Sequence, residues 1–291
     1  MKLSAFCMYC LVKKQEEVIR NFLDEEKKAN YMKKVLEIIA AADESATAPV
    51  ISCELNKWHQ EYWGTSNSYS KEKEEYNYLM LQKERDIESH IYNSENRLLT
   101  ALKFARVGNY IDFGVIDKVD NQKYEQLLKS AISEDIDTGV YDTFLGELKN
   151  SKSLIYITDN CGEIVLDKIF IKEIRNEYPN IDIKVIVRGK PVLNDATKED
   201  ADMVGLTEIV PVIGNGTEIA GTQLDKVDPN VKQMITTADI IISKGQGNFE
   251  TLHGSGLNIY YLFLCKCDWF VNRFHLEKFK GVFINEKNII F

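Results

Sequence analysis

Apolar residues in the first half of the chain recur in pairs set three or four positions apart. Between Val12 and Ala42 the pairs Val18–Ile19, Phe22–Leu23, Val35–Leu36 and Ile38–Ile39 stand among lysines and glutamates. That is the period of amphipathic helices with one face turned to a core. Pro49 marks a break. Lys71–Phe104 resumes the pattern, with a stripe through Tyr78, Leu79, Leu81, Ile87 and Ile91. Shorter helices are expected over Lys123–Ile132 and Tyr141–Leu148. From Lys152 the period changes. Short β-branched runs, Leu154–Ile157, Lys184–Val187, Ile209–Ile213, Ile240–Ser243 and Ile259–Leu264, alternate with helical stretches over Ile164–Glu177, Lys198–Val204 and Asn230–Thr237. Gly281–Ile290 closes the chain as one or two more strands. Strands alternating with helices imply βαβ units around a mainly parallel sheet, wound with right-handed crossovers. The expected class is α/β: a three-layer α/β/α, Rossmann-like domain over 151–291. It is preceded by an N-terminal all-helical region over 1–150, which can split into two helical subdomains.

Composition narrows the functional classes. The 291 residues carry a net charge of −9, with 44% hydrophobic and 28% charged residues. An acidic chain is a poor partner for nucleic acid, whose nonspecific binding needs a basic surface to release counterions. No apolar run approaches the roughly 18 residues that a membrane span requires. The apolar stretch before Lys13 is too short for a signal peptide, so a cytoplasmic protein is expected. The six cysteines, 7, 10, 53, 161, 265 and 267, are then expected to be thiols or ligands rather than disulfides. Oligomeric state is not legible.

In open α/β sheets ligands sit beyond the carboxyl ends of the strands, so the residues just after each strand carry the candidate chemistry. The first strand is followed by Thr158-Asp159-Asn160-Cys161-Gly162-Glu163. Asp159 and Asn160 offer hard oxygens suited to Mg²⁺ or Mn²⁺; the plainer reading is a helix cap. The second is followed by Arg188-Gly189-Lys190-Pro191-Val192-Leu193-Asn194-Asp195. There Asp195 is either a third metal oxygen or another cap, and Arg188 and Lys190 either meet phosphate oxygens or are solvated. After the fourth strand, Lys244-Gly245-Gln246-Gly247-Asn248-Phe249-Glu250 holds two glycines that let backbone approach a ligand closely. It is neither a dinucleotide fingerprint nor a Walker A loop. Each loop is weak alone; three of them at strand ends, without histidine, favour a hard divalent cation over zinc.

The segments Asp159-Asn160-x-Gly162-Glu163, Arg188-Gly189-x-Pro191-x-x-Asn194-Asp195-x-Thr197 and Gly245-x-Gly247-Asn248-Phe249-Glu250 resemble the signature loops of the DUF89, damage-control phosphatase (ARMT1-like) family. Gly108-Asn109-Tyr110-Ile111-Asp112-Phe113-Gly114 and Lys266-Cys267 resemble two further family segments, and Cys7-x-x-Cys10 is similar to that of its prokaryotic branch. The resemblance runs in order along almost the whole chain. It implies a helical part before an α/β/α part, and a divalent-metal-dependent phosphatase (Mg²⁺, Mn²⁺, Co²⁺ or Ni²⁺) acting on a phosphomonoester of a small metabolite, such as a sugar phosphate or a damaged phosphometabolite. It implies Asp159, Asn160 and Asp195 as metal ligands. Asp159, Glu163 and Glu250 are the candidate catalytic residues: Asp159 as ligand or nucleophile, the two glutamates orienting or deprotonating water. Asn109, Asp112, Arg188, Asn194, Gly245, Gly247, Asn248 and Lys266 are the candidates for substrate and phosphate contacts. The bulky, acidic Asp268-Trp269-Phe270 departs from the expected surroundings of Lys266.

Cys7, Cys10 and Cys267 form a candidate second, three-thiolate site, which requires the two ends of the chain to meet; the plainer reading is small buried thiols. Two other functions compete. A noncatalytic nucleotide or sugar-phosphate binding module would use the same glycines without three metal oxygens. A carboxyl methyltransferase would need a glycine-rich loop after the first strand, where Asp-Asn-x-Gly-Glu stands instead.

Overall fold

The structure is a computed structural model that describes residues 1–65, 69–108, 129, 133–275 and 277–289. The stretch Gly108–Gly114 beyond its first residue, with Asn109 and Asp112, and all of the expected helix over Lys123–Ile132 except Lys129, lie outside the described residues.

Five helices come first: α1 (Ala5–Ile19), α2 (Glu25–Ala40), α3 (Ala48–Trp63), α4 (Ser70–Tyr92) and α5 (Arg97–Gly108). Pro49 does not break the chain; it occupies the first turn of α3, where its missing N–H costs nothing. Val12–Ala42 is two helices, and Asp24 caps the second by accepting from Lys27 N–H at 2.8 Å. Leu23, in the turn between them, is 98% exposed. Tyr31, Val35, Ile51 and Leu55 close a small core among α1, α2 and α3.

The buried stripe of α4 differs from the expected one. Tyr78 is exposed, while Lys73, Asn77, Met80, Ile87 and Ile91 are buried. Polar residues interrupt this face because its partners are polar: Lys73 pairs with Asp200 at 2.6 Å, and Glu84 with Lys168 at 2.7 Å.

After α6 (Thr138–Asn150) the sheet begins: β1 (Ser153–Ile157), α7 (Glu163–Glu177), β2 (Asp182–Val187), α8 (Lys198–Met203), β3 (Val212–Gly214), α9 (Pro229–Thr237), β4 (Ile240–Lys244), α10 (Gln246–Leu252), β5 (Ile259–Leu264), α11 (Asp268–Phe274) and β6 (Gly281–Asn285). Strand order is β3-β2-β1-β4-β5-β6, parallel except for β6, which runs antiparallel to β5. This is the Rossmann-type order, with its topological switch between β1 and β4. β3 is shorter than the run Ile209–Ile213; Ile209 and Val210 instead turn back onto Leu206. β6 is a single strand, followed by a 3₁₀ turn over Glu286–Asn288.

The central strands are apolar on both faces, as a sheet covered on both sides requires. Leu154, Tyr156, Val185, Ile242 and Leu262 face one core, shared with α4, α5, α6 and α7. Ile155, Ile157, Ile241, Tyr261 and Phe263 face another, under α9, α10 and α11. No helix among the described residues is long and apolar enough to cross a membrane.

Candidate active site

The loop after β1 and the loop after β2 are stitched together by backbone. Arg188 N–H donates to Ala196 O (2.9 Å), Ala196 N–H to Asp159 O (2.7 Å) and Cys161 N–H to Asn194 O (2.8 Å). Asn160 and Asp195 thereby face one another as an isolated antiparallel bridge. Asp159 and Asn160 from one loop and Asp195 from the other, 35 residues on from Asn160, converge at the strand ends.

A buried guanidinium holds the two carboxylates. Arg188, 1% exposed, donates from Nε to Asp195 Oδ2 at 2.5 Å and lies 3.5 Å from Asp159 Oδ1 through Nη2. Its Nη1 reaches Asn248 Oδ1 (3.0 Å) and Thr222 Oγ1 (3.3 Å). The Asn160 side-chain amide donates to Asp159 Oδ2 and to Glu163 Oε2, each at 2.9 Å. Burial, then Asp195, then Glu163 push the Asp159 carboxyl up to about 8, against the opposing pull of Arg188 and Lys266. Desolvation is the largest of these causes, so the charged form of Asp159 is disfavoured where it stands. A hard divalent cation among Asp159, Asn160 and Asp195 would favour the charged carboxylates, so the donor set fits one. Among the described residues no three His, Cys, Asp or Glu side chains form a ready-made metal group; the candidate set is two carboxylates and an amide.

Gly245 explains one glycine of the loop after β4. Its φ of 79° and ψ of 160° lie in a region reserved for glycine, and a Cβ there would overlap the Asp159 carboxylate. Its N–H donates to Leu262 O at 3.2 Å, which leaves none for a phosphate. Gly247 is required instead by Ala220 O, which a Cβ would strike.

The remaining candidates sort by what they touch. Asn248 is fully buried and saturated: besides the bonds it accepts from Arg188 and Thr222, its amide donates to Thr158 O (2.9 Å) and Lys244 O (2.7 Å). It ties the ends of β1 and β4 together and has no capacity left for a substrate. Arg188 differs: Nε is committed to Asp195, whereas Nη2 lies 3.5 Å from Asp159 Oδ1 and makes no hydrogen bond among the described residues. Asn194 is different. It is 5% exposed, and its Nδ2 is a buried donor with no partner among the described residues, which suits an anionic oxygen. Lys266 is half-buried and near enough to lower the Asp159 carboxyl.

Glu163 is fully buried, and its two oxygens go to Lys244 (2.5 Å) and Asn160. Glu250 faces elsewhere. Burial raises its carboxyl to about 7, and its charge is felt by Cys10, Cys267 and the Met1 amino group. Cys7 lies near enough to Cys10 and to Cys267 to raise both thiols, and the Met1 amino group donates to Glu250 O, so α1 and the start of α11 do meet. They do not close a three-ligand metal group, and all are free thiols. Cys7 and Cys10 sit on α1, whereas Cys267 is held at the start of α11.

Beneath the site lies an ion cluster that loop letters did not reveal. Lys244 Nζ, with no exposure, contacts Glu163 Oε1, Asp167 Oδ1 (2.6 Å) and Ala105 O (2.8 Å), and Tyr156 donates to Asp167 at 2.6 Å. The signal was present: Lys244 ends the apolar run Ile240–Ile242, and Asp167 interrupts Ile164-Val165-Leu166 and Ile169-Phe170. Asn77, Asp200 and Thr222 carried no comparable signal.

A Rossmann-type sheet with a carboxylate pair beside a buried arginine at its strand ends defines an α/β fold with its polar cluster where such folds place their ligands. The chain belongs to the damage-control phosphatase ARMT1-like domain family, whose model matches residues 3–280. An uncharacterized protein of Methanocaldococcus jannaschii is 30% identical over 92% of this chain and 90% of its own. A damage-control phosphatase of Archaeoglobus fulgidus is 27% identical over 92% and 93%. A crystal structure of a DUF89 family protein from Pyrococcus horikoshii matches with a TM-score of 0.82 at 27% identity, covering 98% of this chain and 99% of that one.

Proposed function

We propose that the protein is a divalent-metal-dependent phosphatase that hydrolyses a phosphomonoester of a small metabolite, a sugar phosphate or a damaged phosphometabolite. The observation that carries the reading is the Asp159–Asp195 pair held by Arg188 at the strand ends, where burial first, then Asp195 and Glu163, raise the Asp159 carboxyl to about 8. The relatives named damage-control phosphatases support the reaction class.

Asp159, Asn160 and Asp195 would hold the cation, Mg²⁺, Mn²⁺, Co²⁺ or Ni²⁺. When bound it supplies Lewis-acid polarisation of the phosphoryl group and neutralises charge on the departing oxygen. Arg188 fixes the orientation of both carboxylates. Lys266 draws the phosphate toward Asp159, and Asn194 Nδ2, unpartnered among the described residues, donates to a phosphate oxygen. Glu163 orients Asn160 through its hydrogen bond rather than moving a proton, because Lys244 holds its other oxygen. Glu250 has no part in this scheme. Water adds to phosphorus, the bond to the metabolite oxygen breaks, and that oxygen leaves as an alcohol.

The test is phosphate release from p-nitrophenyl phosphate and a panel of sugar phosphates by metal-stripped protein, with and without each of the four cations. Asp159→Asn and Asp195→Asn are run in parallel, with folding checked by circular dichroism. Release that returns with a cation and is lost in both variants supports the proposal. Release by the variants at the wild-type level places the chemistry elsewhere. A folded protein that releases nothing with any cation speaks for a binding module.

A further inference from the structure

Asn77, on α4, is fully buried and bonded to both loops that bring the candidate site together. Its Oδ1 accepts from Gly162 N–H at 2.6 Å, and its Nδ2 donates to Asp200 Oδ1 at 2.8 Å. Each end of this bridge is tight. Gly162 lies in a γ-turn, with φ 69° and ψ −53°, closed by Glu163 N–H donating to Cys161 O at 2.7 Å. That turn is rare and strained. It reverses the chain directly after Asn160 and sends Glu163 back beneath it. At the other end, Asp200 Oδ2 accepts from Thr197 N–H and Oγ, each at 2.8 Å, and pairs with Lys73 at 2.6 Å. This capping box anchors the return of the loop that carries Asp195.

We infer that Asn77 is a positioning residue: a side chain from the helical part that sets the spacing between the Asp159–Asn160 loop and the Asp195 loop, and so the site's affinity for a divalent cation. The inference rests on the cation site proposed above. Two features favour positioning over mere packing. Buried Asn is costly unless all its groups are bonded, and Met80, one turn further along the same face, shows that an apolar residue fits the helix there. The two bonds also end on backbone or on a helix cap immediately beside the candidate ligands, where outer partners of a metal site act.

The experiment is Mn²⁺ affinity, read as free-ion signal by electron paramagnetic resonance, on metal-stripped full-length protein. Asn77→Asp places a second carboxylate against Asp200 and is expected to weaken Mn²⁺ binding by about tenfold or more. In Asn77→Asp/Asp200→Asn the two side chains exchange ends of the same hydrogen bond, and affinity is expected to return to within about threefold of wild type. Met80→Ala, on the same helix face but off the bridge, is expected to lower thermal stability and leave Mn²⁺ affinity unchanged. Should Asn77→Asp not fold, Asn77→Ser takes its place.

The inference is overturned if Asn77→Asp binds Mn²⁺ as wild type does, if the double variant shows no recovery, or if Met80→Ala weakens binding equally. Absence of Mn²⁺ binding by the wild type sinks the cation reading instead. In that case hydrogen exchange at the Gly162 amide decides: faster in Asn77→Ala than in Met80→Ala upholds the tether, and equal rates overturn it.

Discussion

Replacing Gly245 by alanine tests the link between backbone conformation and the candidate site most directly. Gly245 stands at φ 79° and ψ 160°, a conformation that costs a residue with a Cβ about 1–3 kcal/mol. The new methyl would also overlap the carboxylate of Asp159. That carboxylate is hemmed in by Asn160 at 2.9 Å and Arg188 at 3.5 Å, so it must leave at least one of them. Overpacking of this kind costs about 1–3 kcal/mol more. The expected total is on the order of 2–6 kcal/mol, a fall in melting temperature of about 3–10 °C for a chain of this length. Loss of one correctly placed oxygen should also weaken Mn²⁺ binding by at least about tenfold. The matched control is Gly64→Ala. Gly64 has φ 70°, but nothing lies within 4 Å of its would-be Cβ. It should cost only about 1 kcal/mol and leave Mn²⁺ affinity unchanged. Thermal melts and Mn²⁺ titrations on both variants suffice. If Gly245→Ala melts like Gly64→Ala and binds Mn²⁺ like wild type, the argument that Asp159 is held against Gly245 is wrong.

Lys244→Met leaves Glu163 and Asp167 buried without their cation, which should cost about 3–5 kcal/mol in urea unfolding; adding Glu163→Gln and Asp167→Asn should recover most of it, and a single variant as stable as wild type would contradict the assignment. Glu250, raised to about 7, binds its proton in the folded state across a window where the unfolded chain has lost it, roughly pH 4.5 to 7. Its contribution therefore makes stability fall as pH rises through that window, and Glu250→Gln should flatten the slope and gain on the order of 3 kcal/mol at pH 8; parallel slopes for the two proteins would refute this. Because Asp159 is raised to about 8 without a cation, metal uptake at pH 7 should expel close to one proton and weaken as pH falls. Titration calorimetry in two buffers of different ionisation enthalpy reads this directly, and a buffer-independent enthalpy would count against it.

Periodicity alone determined much of this protein. The switch from a helical period to short apolar runs near Lys152 located the sheet, and every strand run between Leu154 and Leu264 overlaps a strand, Ile209–Ile213 by two residues only. The strand-end rule then pointed to Asp159, Asn160, Asp195 and Gly245, because open parallel sheets present those positions together whatever the rest of the chain does. Helix limits were less legible. Pro49 was read as an interruption although its place in a first turn is favourable, and α3 went unseen because its apolar face is broken by polar and aromatic residues.

Roles within the loops were decided only in three dimensions. Asn248 has the letters of a ligand contact, yet burial obliges it to satisfy the protein's own carbonyls and the guanidinium of Arg188. Gly245 and Gly247 have the letters of a phosphate loop, yet a carboxylate and a carbonyl occupy the space their side chains would need. Asn77 lies 85 residues from the glycine it holds, a pairing that no local pattern encodes. A sequence period reports which face of an element is dry; which buried polar group meets which depends on contacts that form only when distant elements pack.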